Sequence, residues 1–298
     1  MKTPVFTGVC TALVTPFQNG KINYEMLNCL LDRQISGGIK SVVLSGTTGE
    51  SPTLSDSEKL TLFQQAKKYT GNACTIIAGT GSNDTQHTIA LSRAAEDAGA
   101  DALLIVSPYY NKATSEGLYA HYSAVAASVH IPIIIYNVPT RTGQDIPVSV
   151  YKKLSRIPNI AGVKEASTDI KKCLQIKSVC PSDFAVWSGN DDMIVPVMSL
   201  GGAGVISVLS NIYPAETRIM AQAALAGDFD TAAALQIQMH PLIELLFSEV
   251  NPIPVKAAMK ILGFDCGDCR MPLMPISEEL ENRLIAALRK TPPLEDKV

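Results

Sequence analysis

Short, strongly apolar and β-prone runs recur along the chain, each followed by a stretch that can form a helix. They begin near Val9 (VCTALV), Ser41 (SVVLSG), Thr75 (TIIAGT), Ala102 (ALLIVS), Pro132 (PIIIYN), Ile160 (IAGVK), Phe184 (FAVWSG) and Gly204 (GVISVL). The runs are apolar on both faces instead of alternating, as in a parallel sheet covered on both sides. Successive starts lie roughly 20 to 35 residues apart, the length of a strand plus a crossover helix. Eight such units close a (β/α)8 barrel, so the fold class expected is α/β, a TIM barrel. A doubly wound open sheet would require a glycine-rich phosphate turn after the first strand, where the chain reads VTPFQNG.

Helix signals fill the gaps. Ser55-Asp56-Ser57-Glu58 is a capping box ahead of an amphipathic segment that ends near Gly71. Asp84 opens a helix that stops at Gly99, and Asn190-Asp191-Asp192 places carboxylates where they complement the dipole of another. After the eighth run the strand signal ceases. From Pro214 to Lys290 the pattern is helical, broken at Gly227, Asn251-Pro252 and Gly263. The expected organisation is therefore a barrel over residues 1–225 and a helical extension over 226–298 packed on it. A polar tail, TPPLEDKV, ends the chain.

Composition narrows the class. Of 298 residues, 46% are hydrophobic and 18% charged, which excludes a disordered chain. The net charge of −3 offers no electrostatic footprint for nucleic acid or an anionic membrane. No apolar run reaches the ~18 residues a membrane span needs. The mildly apolar start after Lys2 resembles a signal peptide, but Pro4, Gly8 and Pro16 interrupt it, and it reads as the first strand. Seven cysteines, an odd number set mostly in apolar runs, point to a reducing, cytoplasmic setting. Cys266 and Cys269 form a lone CxxC without nearby histidines, which argues against zinc.

In a barrel the chemistry lies at the carboxyl ends of the strands. The polar residues expected there are Thr47 and Thr48 within GTTGE, Tyr109 and Tyr110 within PYYN, Tyr136 and Arg141 within YNVPTR, Lys164, and Gly189; Ile206 lies on the eighth run. Lys164 is the most informative, because it follows an apolar strand. Burial of an ammonium favours the free amine, which attacks a carbonyl to form a Schiff base. The bland alternative is that Lys164 pairs with a strand-end carboxylate such as Glu50. Backbone N–H groups around Thr47-Thr48 could hold a carboxylate, and Arg141 could grip a second one.

Taken together, GTTGE at 46–50, PYYN at 108–111, YNVPTRTG at 136–143, GVKEAS at 162–167, SGND at 188–191, GGAGVISV at 201–208 and NPIPVK at 251–256 resemble the dihydrodipicolinate synthase family of pyruvate-dependent class I aldolases. The resemblance implies condensation of pyruvate with L-aspartate-4-semialdehyde to 4-hydroxy-tetrahydrodipicolinate, a step of diaminopimelate and lysine biosynthesis. It implies that Lys164 forms the Schiff base and that Tyr136, Thr47 and Tyr110 form a proton relay, Tyr110 coming from a neighbouring subunit. It further implies that Thr48, Ile206 and Gly189 hold pyruvate, that Arg141 takes the semialdehyde carboxylate, and that the enzyme is a homotetramer built as a dimer of dimers. No metal or organic cofactor is implied. N-acetylneuraminate lyases and other 2-keto-acid aldolases share the lysine and tyrosine; Thr47 and Arg141 favour the synthase over them. Relatives bind the end product lysine at a site that Ser51, Asn83 and Tyr109 match. There, two histidines are replaced by Asp56 and Lys59, and a glutamate by His87, so weak or absent lysine inhibition is expected.

Overall fold

The computed structural model describes residues 2–291, so the expected polar tail lies outside the described residues from position 292 onward. The first run forms β1 (Gly8–Ala12), and a short hairpin of β2 (Phe17–Gln18) and β3 (Lys21–Ile22) follows it. The other seven runs form β4 (Ser41–Leu44), β5 (Thr75–Gly79), β6 (Ala102–Val106), β7 (Ile133–Asn137), β8 (Ile160–Glu165), β9 (Ala185–Ser188) and β10 (Gly204–Ser207). Every run expected as a strand is one. With the hairpin set aside, the eight strands close in the order β1-β10-β9-β8-β7-β6-β5-β4, every pair parallel. The hairpin was not foreseen, because strands of two residues carry no periodicity.

Two packed layers explain why each run is apolar on both faces. Val43, Ile77, Leu104 and Ile134 belong to the cluster that fills the barrel. Their neighbours Val42, Ile76, Leu103 and Ile135 join the separate layer between sheet and helices. Trp187, wholly buried, plugs the interior: it stacks on Phe6 at 5.0 Å and its indole N–H donates to the Phe6 carbonyl at 3.2 Å. The Lys2 Nζ donates to the carbonyls of Ser155, Ile157 and Ile160, tying the chain's start to the loop that enters β8.

Around the barrel run α1 (Tyr24–Ser36), α2 (Asp56–Thr70), α3 (Thr85–Asp97), α4 (Ser115–Ala126), the single turn α5 (Pro139–Thr142), α6 (Val148–Leu154), α7 (Ile170–Val179) and α8 (Ile194–Ser199). Ser55 and Glu58 form the reciprocal capping box at the start of α2, and Asp84 caps α3. Asp191 and Asp192 stand in the first turn of a short 3-10 helix that leads into α8, as expected. Asp191 is in addition buried, and one carboxylate oxygen accepts the N–H groups of Val208 and Leu209, both at 2.9 Å. It thus ties the loop after β9 to the loop after β10. Burial raises its pKa against those two hydrogen bonds.

The last quarter is helical: α9 (Pro214–Leu225), α10 (Phe229–Phe247), α11 (Ile253–Ile261) and α12 (Glu278–Lys290). Gly227 and Asn251-Pro252 fall in the breaks, as expected. Beyond Gly263, however, the break is a non-helical segment that runs to Ser277, the N-cap of α12. Helix α10 packs on α8 and α9, and α12 packs on α10 and α11. Among the described residues, no helix is long and apolar enough to cross a membrane.

Candidate active site

Sheet register brings the first two groups together. Tyr136 on β7 pairs with Lys164 on β8, and both face the barrel interior, as the alternation along their strands requires. Lys164 is 5% exposed, and its Nζ lies 4.4 Å from the centre of the Tyr136 ring. Glu50 does not pair with Lys164, because it is engaged elsewhere. Gly189, just after β9, leaves room for the lysine: a Cβ there would lie 2.6 Å from the Ala166 Cβ and 3.1 Å from the Lys164 Cε. Ile206 is fully buried in the same interior cluster as Tyr136 and Trp187.

Behind this pair lies a buried polar cluster that the sequence did not disclose. Asn137 and Glu165, the next residues along β7 and β8, face outward, and the Asn137 amide donates to Glu165 Oε1 at 2.8 Å. The same Glu165 oxygen accepts the Ser167 N–H at 2.8 Å. The Asn137 amide also reaches Asp145, which forms a short ion pair with the buried Lys172. Burial raises the pKa of Glu165, opposed first by the Lys172 charge and then by the Asn137 bond. The strand ends carrying Tyr136 and Lys164 are therefore stitched by side chains as well as by the backbone ladder.

The GTTGE turn forms the facing wall. It follows β4 and is bracketed by Ser45 and Glu50, both in the left-handed backbone region at φ 55° and 57°. Neither is glycine, so the surroundings must hold them. One reason the turn can sit there is Gly79, where a Cβ would lie 2.2 Å from the Ser45 carbonyl oxygen. Thr48 is buried, and its Oγ1 accepts from Asn251 Nδ2 at 3.0 Å. Asn251 precedes α11, and its backbone carbonyl accepts from Arg141 Nη2 at 3.3 Å. Glu50 makes a fully buried ion pair with Lys256 of α11 at 2.7 Å and accepts the Arg270 N–H at 2.8 Å. Arg270 continues to Glu58 through both guanidinium Nη atoms, which holds that carboxyl down to about 2. Asn251, Lys256 and Arg270 were missed as site-forming residues. NPIPVK was a recognised motif without a role, and only the fold brings it to the turn.

A cavity of about 300 Å3 opens over these elements and is lined by Thr47, Tyr136, Val138 and Arg141. Ser51, Lys59, His87 and Tyr109 line it as well. Asn83 is beside them, its amide donating to the Tyr109 carbonyl at 3.2 Å. Tyr110 is not brought in. Its residue is 86% exposed on a left-handed backbone, and among the described residues no hydrogen bond joins Tyr136, Thr47 and Tyr110 within one chain. The seven cysteines are free thiols, Cys29 being exposed instead of packed, and no group of metal-ligating side chains gathers among the described residues.

Residues 5–291 match the model of the dihydrodipicolinate synthetase family. A 4-hydroxy-tetrahydrodipicolinate synthase of Acetivibrio thermocellus is 46% identical over 279 residues, 94% of this chain and 95% of the relative. One from an Exiguobacterium species is 46% identical over 96% of this chain and 98% of its own. The crystal structure of dihydrodipicolinate synthase from Aquifex aeolicus superposes with a TM-score of 0.94 at 42% identity, covering 96% of this chain and 98% of that one. Fold and sequence agree, and the chain belongs to the dihydrodipicolinate synthetase family.

Proposed function

We propose that this protein condenses pyruvate with L-aspartate-4-semialdehyde through a Schiff base on Lys164, giving 4-hydroxy-tetrahydrodipicolinate. The observation that carries the reading is the buried Lys164 ammonium facing the Tyr136 ring at 4.4 Å. The free amine adds to the pyruvate ketone carbon, and loss of water leaves an imine. Once protonated, the imine nitrogen accepts the electron pair released when a methyl proton departs, and the resulting enamine carbon attacks the aldehyde. The aldehyde oxygen takes up a proton, and the amino group of the bound semialdehyde displaces the lysine to close the ring. Tyr136 is the group placed to shuttle protons at the imine and the new alkoxide. Thr48, Gly189 and Ile206 shape the pyruvate end. Arg141 offers two donors to the second carboxylate, at the side of the cavity where Asn251 anchors it.

A tyrosine hydroxyl relays poorly by itself, with an ordinary pKa near 10. Thr47 supplies one hydroxyl of the relay from the cavity wall. Tyr110, presented outward, supplies its own to a second copy of the chain, so the working form is an oligomer, a homotetramer of two tight dimers in the cytoplasm. No cofactor takes part in this scheme.

Incubation with pyruvate and borohydride should add one reduced pyruvate to the peptide containing Lys164, and Lys164→Ala should abolish the adduct. An adduct on a different lysine overturns the mechanism. Purified protein should turn over pyruvate with the semialdehyde and leave N-acetylneuraminate uncleaved; the reverse result transfers the chain to sugar-acid cleavage.

A further inference from the structure

Asn251, in the helical extension, touches one polar group at each end of the proposed reaction. It is 6% exposed, and its Nδ2 donates to the Thr48 Oγ1 at 3.0 Å. Its main-chain carbonyl accepts from the Arg141 Nη2 at 3.3 Å. These contacts are not needed to dock the extension on the GTTGE turn. The buried Glu50–Lys256 pair and the Arg270 N–H to Glu50 already do that. Nor does the side chain satisfy itself fully: its Oδ1 is buried with no hydrogen-bond partner among the described residues, a state that costs stability. A polar residue held at that cost calls for a role beyond holding the fold.

The chemistry of the two contacts supplies that role. A threonine hydroxyl has one proton to give and lone pairs to accept with. The Asn251 amide occupies a lone pair of the buried Thr48 Oγ1, so the Thr48 proton must point away from Asn251. A carboxylate such as that of pyruvate only accepts, and a hydroxyl turned this way is the form that binds it. Arg141 has the opposite problem. It is exposed on the single turn α5, where a long side chain has many directions open to it. Fixing one Nη on the Asn251 carbonyl sets the plane of the guanidinium and leaves its other donors for a second carboxylate.

We propose that Asn251 is a positioning residue for both substrates: its amide turns the Thr48 proton toward pyruvate, and its carbonyl aims Arg141 at the semialdehyde carboxylate. The inference rests on the proposed reaction for the identity of the two ligands. It divides the work of one residue between side chain and main chain, so substitution of the side chain should disturb pyruvate alone.

Steady-state kinetics and calorimetric titration with pyruvate, both on the full chain, read that division. Asn251→Ala removes the amide and keeps the carbonyl. Asn251→Asp keeps the size, offers only acceptors and draws the Thr48 proton to itself; being isosteric, it carries the test if Asn251→Ala does not fold. Either variant should raise KM and Kd for pyruvate about tenfold, with KM for the semialdehyde within about twofold of the wild type. In a Thr48→Val background, Asn251→Ala should weaken pyruvate binding no further, whereas a merely structural loss would add to the first. Unchanged pyruvate affinity, equal rises in KM for both substrates, or additive losses with Thr48→Val overturn the inference. If the wild type binds pyruvate but borohydride leaves Lys164 unmodified, the Schiff-base reading falls alone, because calorimetry still decides what Asn251 does.

Discussion

At the scale of single residues, position within the barrel converts common side chains into unusual ones. Lys164 is one lysine among many until alternation along β8 turns it inward beside Tyr136. Gly189 is the complement of that lysine, and Gly189→Ala should test the fit. Its Cβ would press on the Lys164 Cε at 3.1 Å and on Ala166 more closely. A fall of tenfold or more in kcat is expected, with Lys164 displaced in the crystal structure of the variant. Unchanged kcat would show that the lysine has slack. Lys59 carries a second prediction. An ammonium already stands in the wall that lysine as an effector would have to approach, and like charges there repel. Steady-state rates should therefore hold in millimolar lysine; strong inhibition below that range would refute this. Lys164, Tyr136, Thr47 and Arg141 were legible because each sits in a short motif at a strand end. The burial of Asp191 and the role of Glu165 were not legible, since their partners, Val208 just after β10 and Asn137 on β7, are distant in sequence and no local spacing announces them.

At the scale of elements, polar ties between distant segments do more than the helices' own propensities. The pair Glu50–Lys256 joins the turn after β4 to α11 with both side chains nearly excluded from water. Removing one partner strands a buried charge, so Lys256→Met should cost about 3–5 kcal/mol in denaturant unfolding. Adding Glu50→Gln should restore much of it. If the double variant is as unstable as the single, the pair is not what the loss measures. Helices α3 and α4 are bridged by Thr85 and the buried His121, whose pKa burial lowers from 6.5 to about 4 against the pull of Asp84. Between those values the unfolded chain binds the extra proton, so stability falls as pH drops from about 6.5 to about 4. His121→Asn should flatten that part of the melting-temperature profile, and an unchanged profile would remove His121 as its source. The eight strands, the capping box and the glycine breaks could be read from the sequence because each is written within one turn or one strand. The segment from Gly263 to Ser277 could not. Arg270 holds it through Glu50 and Glu58, and nothing in the local pattern of those residues distinguishes an anchored loop from a helix.

At the scale of the whole molecule, the barrel draws on the chain's hydrophobic residues through strands buried on two faces. Tyr110 is exposed, and in the proposed oligomer it lies on a surface that a second copy would cover. Dilution supplies the test: specific activity should fall as the oligomer dissociates in sedimentation velocity, and Tyr110→Phe should lower kcat without changing the assembly. Constant specific activity across the dissociation range would mean that each chain is complete by itself. The ties to the GTTGE turn also have a consequence in time. Asn251 lies 203 residues after Thr48, and Arg270 lies 220 residues after Glu50. A ribosome moving at about 5–20 residues per second makes the turn some ten to forty seconds before it makes these anchors. Through that interval Glu50 has no cation to meet and Thr48 no amide, so a chain that stops short is born with an unset site. Completion of synthesis, and not closure of the sheet alone, is what switches the enzyme on.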